Sequence, residues 1–407
     1  MEYGLLGEKL GHSFSPQIHR ALGGYDYRLL PTPPEEVEAL LRRRAFRGLN
    51  VTIPYKQTVI PLCDRVDPRA AAIGAVNTIV NRDGLLEGCN TDIDGLIDLA
   101  RRAGVDMAGK KVVILGSGGT SRTAQAAAGE LGAASVTVVS RGGADNYGNL
   151  SRHGDAQVLI NTTPVGMYPR CGVSPVDLDL FPALTGVLDV VYNPLRTALV
   201  LAAEDRGIPC SGGLPMLVSQ ARRAAELFTG TTIPDSRMEE ALAALTRQVR
   251  SVVLVGMPGC GKSAVGRALA RRLGKEFVDM DALISARAGK SIPDIFAQDG
   301  EEAFRTLESQ IAREAGSRTG CVISTGGGAV TRPENRDPLR QNGVVVHLTR
   351  DLALLPRSGR PVSQSTDLEE LWARRAPLYA AFADLTVPNG GAVEAAADTI
   401  VKELNAL

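Results

Sequence analysis

Two glycine-rich stretches carry residues whose types and spacing could do chemistry on phosphorylated molecules. In SVVLVGMPGCGKSAVG, beginning at Ser251, Gly256 is followed after four residues by Gly261, Lys262 and Ser263. Such a loop can turn its backbone amides, from Gly259 and Cys260 through Gly261 to Ala264, onto phosphate oxygens. Lys262 can neutralise the outer phosphates, and the Ser263 hydroxyl can ligate magnesium. Transfer of a phosphoryl group also needs oxygen ligands for the metal and a group that positions the acceptor hydroxyl. Asp279 and Asp281 in the segment FVDMD offer carboxylates for those tasks.

The second stretch, KKVVILGSGGTSRTA from Lys110, places Gly116, Ser117, Gly118, Gly119 and Thr120 between an apolar run and a helix expected from about Ser121 to Leu131. Glycines there let the backbone approach a pyrophosphate, whose charge is met by amide hydrogens at the helix N-terminus. Ser121 stands where a full dinucleotide fingerprint has its third glycine. At the end of the next apolar run, SVTVVSR, Ser140 and Arg141 replace the acidic residue that would receive ribose hydroxyls. A guanidinium suits a ribose phosphate, which favours NADP over NAD.

The elements that must hold these loops are short β-branched runs alternating with Ala- and Leu-rich helical stretches, the pattern of α/β folds with parallel sheets covered by helices. A chain of 407 residues exceeds what one core organises, so two or three domains are expected. GTTIPDSRMEEALAALTRQVR reads as a turn and a helix, with Asp235 or Ser236 as N-cap, and places a boundary near residue 248. The stretch GGADNYGNLSRHGDA, after Arg141, is poor in helical periodicity. Equal numbers of basic and acidic residues give zero formal net charge, which argues against a nucleic-acid or membrane-surface partner and for small-molecule substrates. The N-terminal segment has no cationic stretch leading into an apolar run, and a cytoplasmic location is expected. Six cysteines and four histidines lack paired spacing, so neither a disulfide framework nor a zinc site is expected. Cys260 lies within the phosphate loop, where modification of its thiol is expected to block nucleotide binding.

The C-terminal part resembles the shikimate kinase family through GMPGCGKS, FVDMD, SIPDIFAQDGEEAFRTLE, STGGGAV and the pair GRPV with RRAPLY, in that order. The resemblance implies a P-loop kinase domain over 249–407 that uses ATP and Mg2+. It makes Asp279 a magnesium partner beside Ser263, and Asp281 the carboxylate contacting the shikimate hydroxyls. Lys262 is implied in catalysis, Arg305 and Arg375 as ligands of the shikimate carboxylate, Gly327 as a backbone surface for substrate, and Arg360 as the lid arginine over ATP. The segment LLPRSGRPVSQS is shorter than the family's usual lid.

The N-terminal part resembles the shikimate dehydrogenase family through HSFSPQIH, GLNVTIPYKQ, IGAVNTI, GCNTDIDG, the glycine loop, NTTPVGM, LDVVYNP and GGLPMLVSQA. This implies a two-lobed dehydrogenase over 1–248, with a substrate lobe of about 1–98 and 216–248 and a Rossmann NADP(H) lobe of about 99–215. Lys56 and Asp92 match the catalytic pair. Ser13, Ser15, Thr52, Asn77 and Gln220 would bind substrate, and Tyr192 and Gly213 would line the cleft. Where the family has Asn-Arg-Thr this chain reads Ser140, Arg141 and Gly142, and Lys9 stands where the family often has proline.

Together the resemblances imply reduction of 3-dehydroshikimate to shikimate with NADPH, then phosphorylation of shikimate with ATP. Two rivals stay open. One half, the dehydrogenase first, could have lost its chemistry and serve as a binding module; or the first substrate could be a quinate-type acid. The sequence leaves homo-oligomerisation open.

Overall fold

The computed structural model describes residues 2–11, 13–355 and 367–406. Arg360 and most of the short lid segment lie outside the described residues. The chain divides into two compact units, one of Met1–Met167, Val173–Tyr192 and Leu199–Thr246, the other of Tyr168–Gly172, Asn193–Ala198 and Arg247–Leu407.

The first unit holds two sheets. One is six-stranded and mixed, in the order Tyr27–Pro31, Tyr3–Gly7, Gly48–Val51, Thr78–Arg82, Leu85–Cys89 and Arg65–Val66. Tyr3–Gly7 and Gly48–Val51 are buried at every position. Continuous burial of this kind suits central strands covered on both faces. Leu6, Leu49, Val76 and Ile79 are wholly buried in the core beneath them. Burial of each such side chain contributes about 1.5–3 kcal/mol before conformational entropy opposes it. Helix Leu214–Thr229 returns late in the chain to pack on Asp92–Arg102 and Ser15–Gly23.

The second sheet is parallel, in the order Cys210–Ser211, Gly186–Asp189, Val158–Asn161, Lys111–Leu115 and Ser135–Val139. The glycine loop follows the strand Lys111–Leu115, at the carboxyl end where such sheets bind ligands. Its helix spans Gly119–Glu130, two residues ahead of the expected start. No α-helix lies between Val139 and Val158; that stretch holds only the 3-10 turn Leu150–His153, as its missing periodicity implied.

The expected cap of the helix near residue 235 needs correction. The helix is Asp235–Val249, so Asp235 is its first residue and Ser236 its second, and neither precedes it. The Asp235 carboxylate accepts instead from Arg222 Nη1 at 2.6 Å.

The second unit centres on a parallel sheet in the order Glu276–Asp279, Cys321–Ser324, Ser251–Val255, Gly343–Thr349 and Leu385–Pro388. Ser251–Val255 is buried throughout and occupies the middle. The phosphate loop therefore springs from the most constrained strand of the sheet and leads into helix Lys262–Leu273.

Candidate active sites

In the first unit, Lys56 Nζ donates to Asp92 Oδ2 at 2.6 Å, with both side chains largely screened from solvent. Asp92 opens helix Asp92–Arg102, where the helix dipole favours its negative charge. Its backbone N–H donates to Asn90 Oδ1, which fixes the turn that presents it. The pair sits in a cleft of about 220 Å³. Ser13, Ser15, Thr52 and Asn77 line the cleft from the substrate-side lobe, joined by Gln220. Thr120, Tyr192 and Gly213 complete it from the dinucleotide side. The Ser13 hydroxyl accepts from Ser15 N–H and donates to Ser15 Oγ, so the two serines form one hydroxyl pair and do not cap the following helix. Burial pushes the Tyr192 phenol up from its ordinary value.

Gly116 has φ +103°, and a Cβ there would press on the side chains of Thr162 and Thr163. Only glycine fits this left-handed, crowded turn. Gly118 and Gly119 differ, because a Cβ at either would meet open space. Their bare backbone, with Ser117 and Thr120, faces that space at the N-terminus of a helix, a fit for the pyrophosphate of a dinucleotide. Ser140 and the exposed Arg141 follow strand Ser135–Val139. The loop after them is braced by Asn149 Nδ2 donating to Ala144 O at 2.8 Å and Asn146 Nδ2 donating to Gly143 O at 3.3 Å.

In the second unit, Gly259, Gly261, Lys262, Ser263 and Ala264 line a pocket of about 420 Å³ together with Asp281, Arg305, Gly327 and Arg375. Lys262 Nζ rests on the carbonyls of Gly256 and Met257 at 2.9 and 3.1 Å, within the loop it must serve. The Ser263 hydroxyl donates to Asp279 Oδ2 at 3.0 Å. A hydroxyl and a carboxylate so close are two hard oxygen donors of the kind magnesium takes, so the residues fit that ion. Asp279 also caps helix Met280–Ala288 by accepting from Asp281 N–H.

Arg305 is nearly buried. Its Nη1 donates to Glu308 Oε2 at 2.7 Å, and its Nη2 to Glu301 Oε1 at 3.1 Å. Glu308 is wholly buried, and its Oε1 has no hydrogen-bond partner among the described residues. Burial raises its pKa; Arg305 opposes the shift and Asp281 adds to it. Arg375 Nη1 and Tyr379 Oη both donate to Gly327 O, at 3.1 and 2.6 Å. Burial lowers the Arg375 pKa from its ordinary value. The triplet Gly326–Gly328 is demanded by these neighbours: a Cβ would strike the carboxylate of Glu308 from Gly326, Pro258 from Gly327 and the Arg305 guanidinium from Gly328.

The expectation about Cys260 is corrected. Its side chain is wholly buried in the core cluster and its thiol is not reachable from the pocket, because the loop turns its sulfur inward against Gly256. What Cys260 offers is backbone, and its carbonyl accepts from Asn389 Nδ2 at 2.7 Å. Asn50, Phe296, Phe304 and Glu308 also line the sites, although sequence reasoning did not single them out. The signal available for Glu308 was its position three residues after Arg305 on a helix. For Asn50 it was only membership of the run GLNVTIPYKQ.

Fold and sites define an α/β protein with one dinucleotide-binding sheet beside a Lys–Asp cleft and one P-loop sheet beside an arginine-lined pocket. Family models match in the same places: the shikimate dehydrogenase substrate binding domain over residues 5–79, the shikimate 5'-dehydrogenase C-terminal domain over 213–243, and shikimate kinase over 258–405. The shikimate dehydrogenase (NADP(+)) of Moorella thermoacetica is 39% identical over 268 residues, covering 58% of this chain and 91% of that protein. The chain belongs to the shikimate dehydrogenase family and carries in addition a shikimate kinase domain, both of the shikimate pathway. Among solved structures, a chorismate mutase/shikimate 5-dehydrogenase fusion protein from Clostridium acetobutylicum is similar, with TM-score 0.57 and 34% identity over 60% of this chain and 96% of that one. So is shikimate 5-dehydrogenase from Thermus thermophilus in complex with NADP(H) and shikimate, with TM-score 0.55 and 34% identity over 60% of this chain and 99% of that one.

Proposed function

We propose that residues 1–248 reduce 3-dehydroshikimate to shikimate with NADPH and that residues 249–407 phosphorylate shikimate with ATP and Mg2+. The observation that carries the first half is the Lys56–Asp92 pair, held at 2.6 Å within a cleft lined by hydroxyls and amides. When bound, the dinucleotide supplies the hydride. Lys56 then faces the oxygen that becomes a hydroxyl, stabilises the negative charge developing on it and donates the proton, while Asp92 keeps the ammonium aimed. Ser13, Ser15 and Thr52 receive the carboxylate and ring hydroxyls, with Asn77 and Gln220. Tyr192 and Gly213 close the side facing the nicotinamide, and Arg141 meets the ribose phosphate.

For the second reaction, magnesium-bound ATP supplies the transferable phosphoryl group. Ser263 and Asp279 would hold the metal, and the loop amides with Lys262 would hold the phosphates. Asp281 orients the attacking hydroxyl and accepts its proton as the oxygen bonds to phosphorus. Arg305 and Arg375 grip the carboxylate of the ring, and their near burial strengthens that grip. A cytoplasmic location agrees with the chemistry, and among the described residues no helix is long and apolar enough to cross a membrane.

The test is a coupled assay. Given 3-dehydroshikimate, NADPH and Mg-ATP, the purified chain forms shikimate 3-phosphate and oxidises NADPH. Consumption of ATP with shikimate but no NADPH oxidation with 3-dehydroshikimate would reduce the first half to a binding module. Faster turnover of quinate than of shikimate would reassign its substrate.

A further inference from the structure

Three amide side chains face the cleft of the first unit: Asn50, Asn77 and Gln220. An amide can bind a hydroxyl usefully only if its oxygen and nitrogen are not free to exchange places, and backbone groups fix that choice here. Asn77 Oδ1 accepts from the Thr91 N–H at 2.7 Å, Asn50 Nδ2 points at Asn77 O at 3.4 Å, and Gln220 Nε2 donates to Leu217 O at 2.9 Å. Each of those backbone groups can act in one sense only.

The hydroxyls between the amides complete the network, and Thr78 Oγ1 and Thr91 Oγ1 lie 3.2 Å apart, where either can donate to the other. Tyr27 Oη must donate to Asn50 Oδ1, at 2.7 Å. Thr78 Oγ1 accepts from Asn50 Nδ2 at 3.0 Å and donates to Asn77 Oδ1, also at 3.0 Å. Thr91 Oγ1 accepts from Asn77 Nδ2 at 3.1 Å, and its own hydrogen has three acceptors in reach: Thr78 Oγ1 at 3.2 Å, Asn77 Oδ1 at 3.3 Å and Gln220 Oε1 at 3.5 Å. Tyr27, Thr78 and Thr91 are all buried. His19 stacks flat on the Tyr27 ring, with centroids 4.0 Å apart and planes 3° from parallel, so the phenol that heads the series is fixed in place. Burial also pushes the Tyr27 phenol well above its ordinary range, which keeps it a donor.

We propose that this hydrogen-bond network, running from Tyr27 through Thr78 and Thr91, holds the Asn50 and Asn77 amides in the sense their backbone partners dictate and so steadies the donor and acceptor pattern that the cleft presents to the substrate hydroxyls. Tyr27, Thr78 and Thr91 are positioning residues for the dehydrogenase reaction. Among the described residues Asn77 Nδ2 keeps a spare hydrogen, which an oxygen of the substrate can accept. The inference rests on the reductase reading above.

The experiment measures reductase kinetics of the full chain and of Tyr27→Phe, Thr78→Val and Thr78→Ser, with thermal melts of each. Tyr27→Phe and Thr78→Val are expected to raise the KM for 3-dehydroshikimate roughly tenfold, as loss of one buried hydrogen bond to a binding group does, while kcat and the KM for NADPH change by no more than about twofold. Thr78→Ser, which keeps the hydroxyl, is expected to restore the KM even if its melting temperature falls. An unchanged KM in Thr78→Val, or a KM in Thr78→Ser as poor as in Thr78→Val, would overturn the inference alone. A wild-type chain that does not reduce 3-dehydroshikimate would overturn the function reading and this inference with it.

Discussion

The two pockets, proposed to take the same carboxylated ring, are built from opposite materials. The cleft beside Lys56 offers hydroxyls and amides oriented by backbone groups, with the Lys56–Asp92 charged pair at its reacting end. The pocket beside the phosphate loop offers two guanidiniums, from Arg305 and Arg375, and the wholly buried carboxylate of Glu308. The difference follows from the chemistry each must do. A reductase must tell a ketone from a hydroxyl, which neutral, oriented dipoles do well. A phosphoryl transferase must bring two anions together, which requires fixed positive charge. One ring can therefore be recognised twice by chemistry that shares nothing.

The sharpest way to break this comparison is to remove the charge from each side in turn. Lys56→Ala is expected to lower the reductase kcat by roughly 10³-fold, since proton donation and charge stabilisation go together, while kinase rates stay within about twofold. Equal loss of both activities in steady-state assays would mean that the two units do not act as separate catalysts. Arg375→Ala is expected to raise the kinase KM for shikimate roughly 100-fold, the scale on which a desolvated ion pair is lost, without touching the reductase. Arg141→Ser should cost less: the KM for NADPH rises about tenfold and that for NADH stays level, because only the ribose phosphate is affected. If both dinucleotides weaken alike, Arg141 supports the loop and not the phosphate.

A separate test concerns stability. Burial holds the His19 imidazole down at about 3, against an ordinary 6.5. Between those values the unfolded chain binds a proton that the folded one refuses. His19 therefore contributes stability above pH 6.5 that is lost as the pH falls toward 3, by up to about 1.4 kcal/mol per pH unit. Denaturant melts from pH 7 to 4 should show the loss, and His19→Phe should flatten it.

Those contrasts also mark what could be read from the residues alone. Gly256, Gly261, Lys262 and Ser263 announce themselves, because a phosphate cradle is made by neighbours in the chain and its spacing is its geometry. Lys56 and Asp92 are 36 residues apart and became a pair only through a family resemblance, which the 2.6 Å contact then makes physical. The series from Tyr27 to Gln220 was not legible. Its members come from separate strands, turns and a helix, so no spacing along the chain brings them together. Gly327 was read as a backbone surface for substrate and lines the pocket; that Gly326 and Gly328 are needed to clear Glu308 and Arg305 was not legible. Asp235 failed as a cap because the helix takes it in as its first residue and Arg222 holds its carboxylate.

The inward turn of Cys260 makes the phosphate loop its own stopwatch. A sulfur that no reagent can reach in the closed form reacts only when the loop opens, so the speed at which it captures a small electrophile reads the frequency of that opening. A nucleotide seated in the loop should slow the clock, and the delay measures how firmly the loop is held.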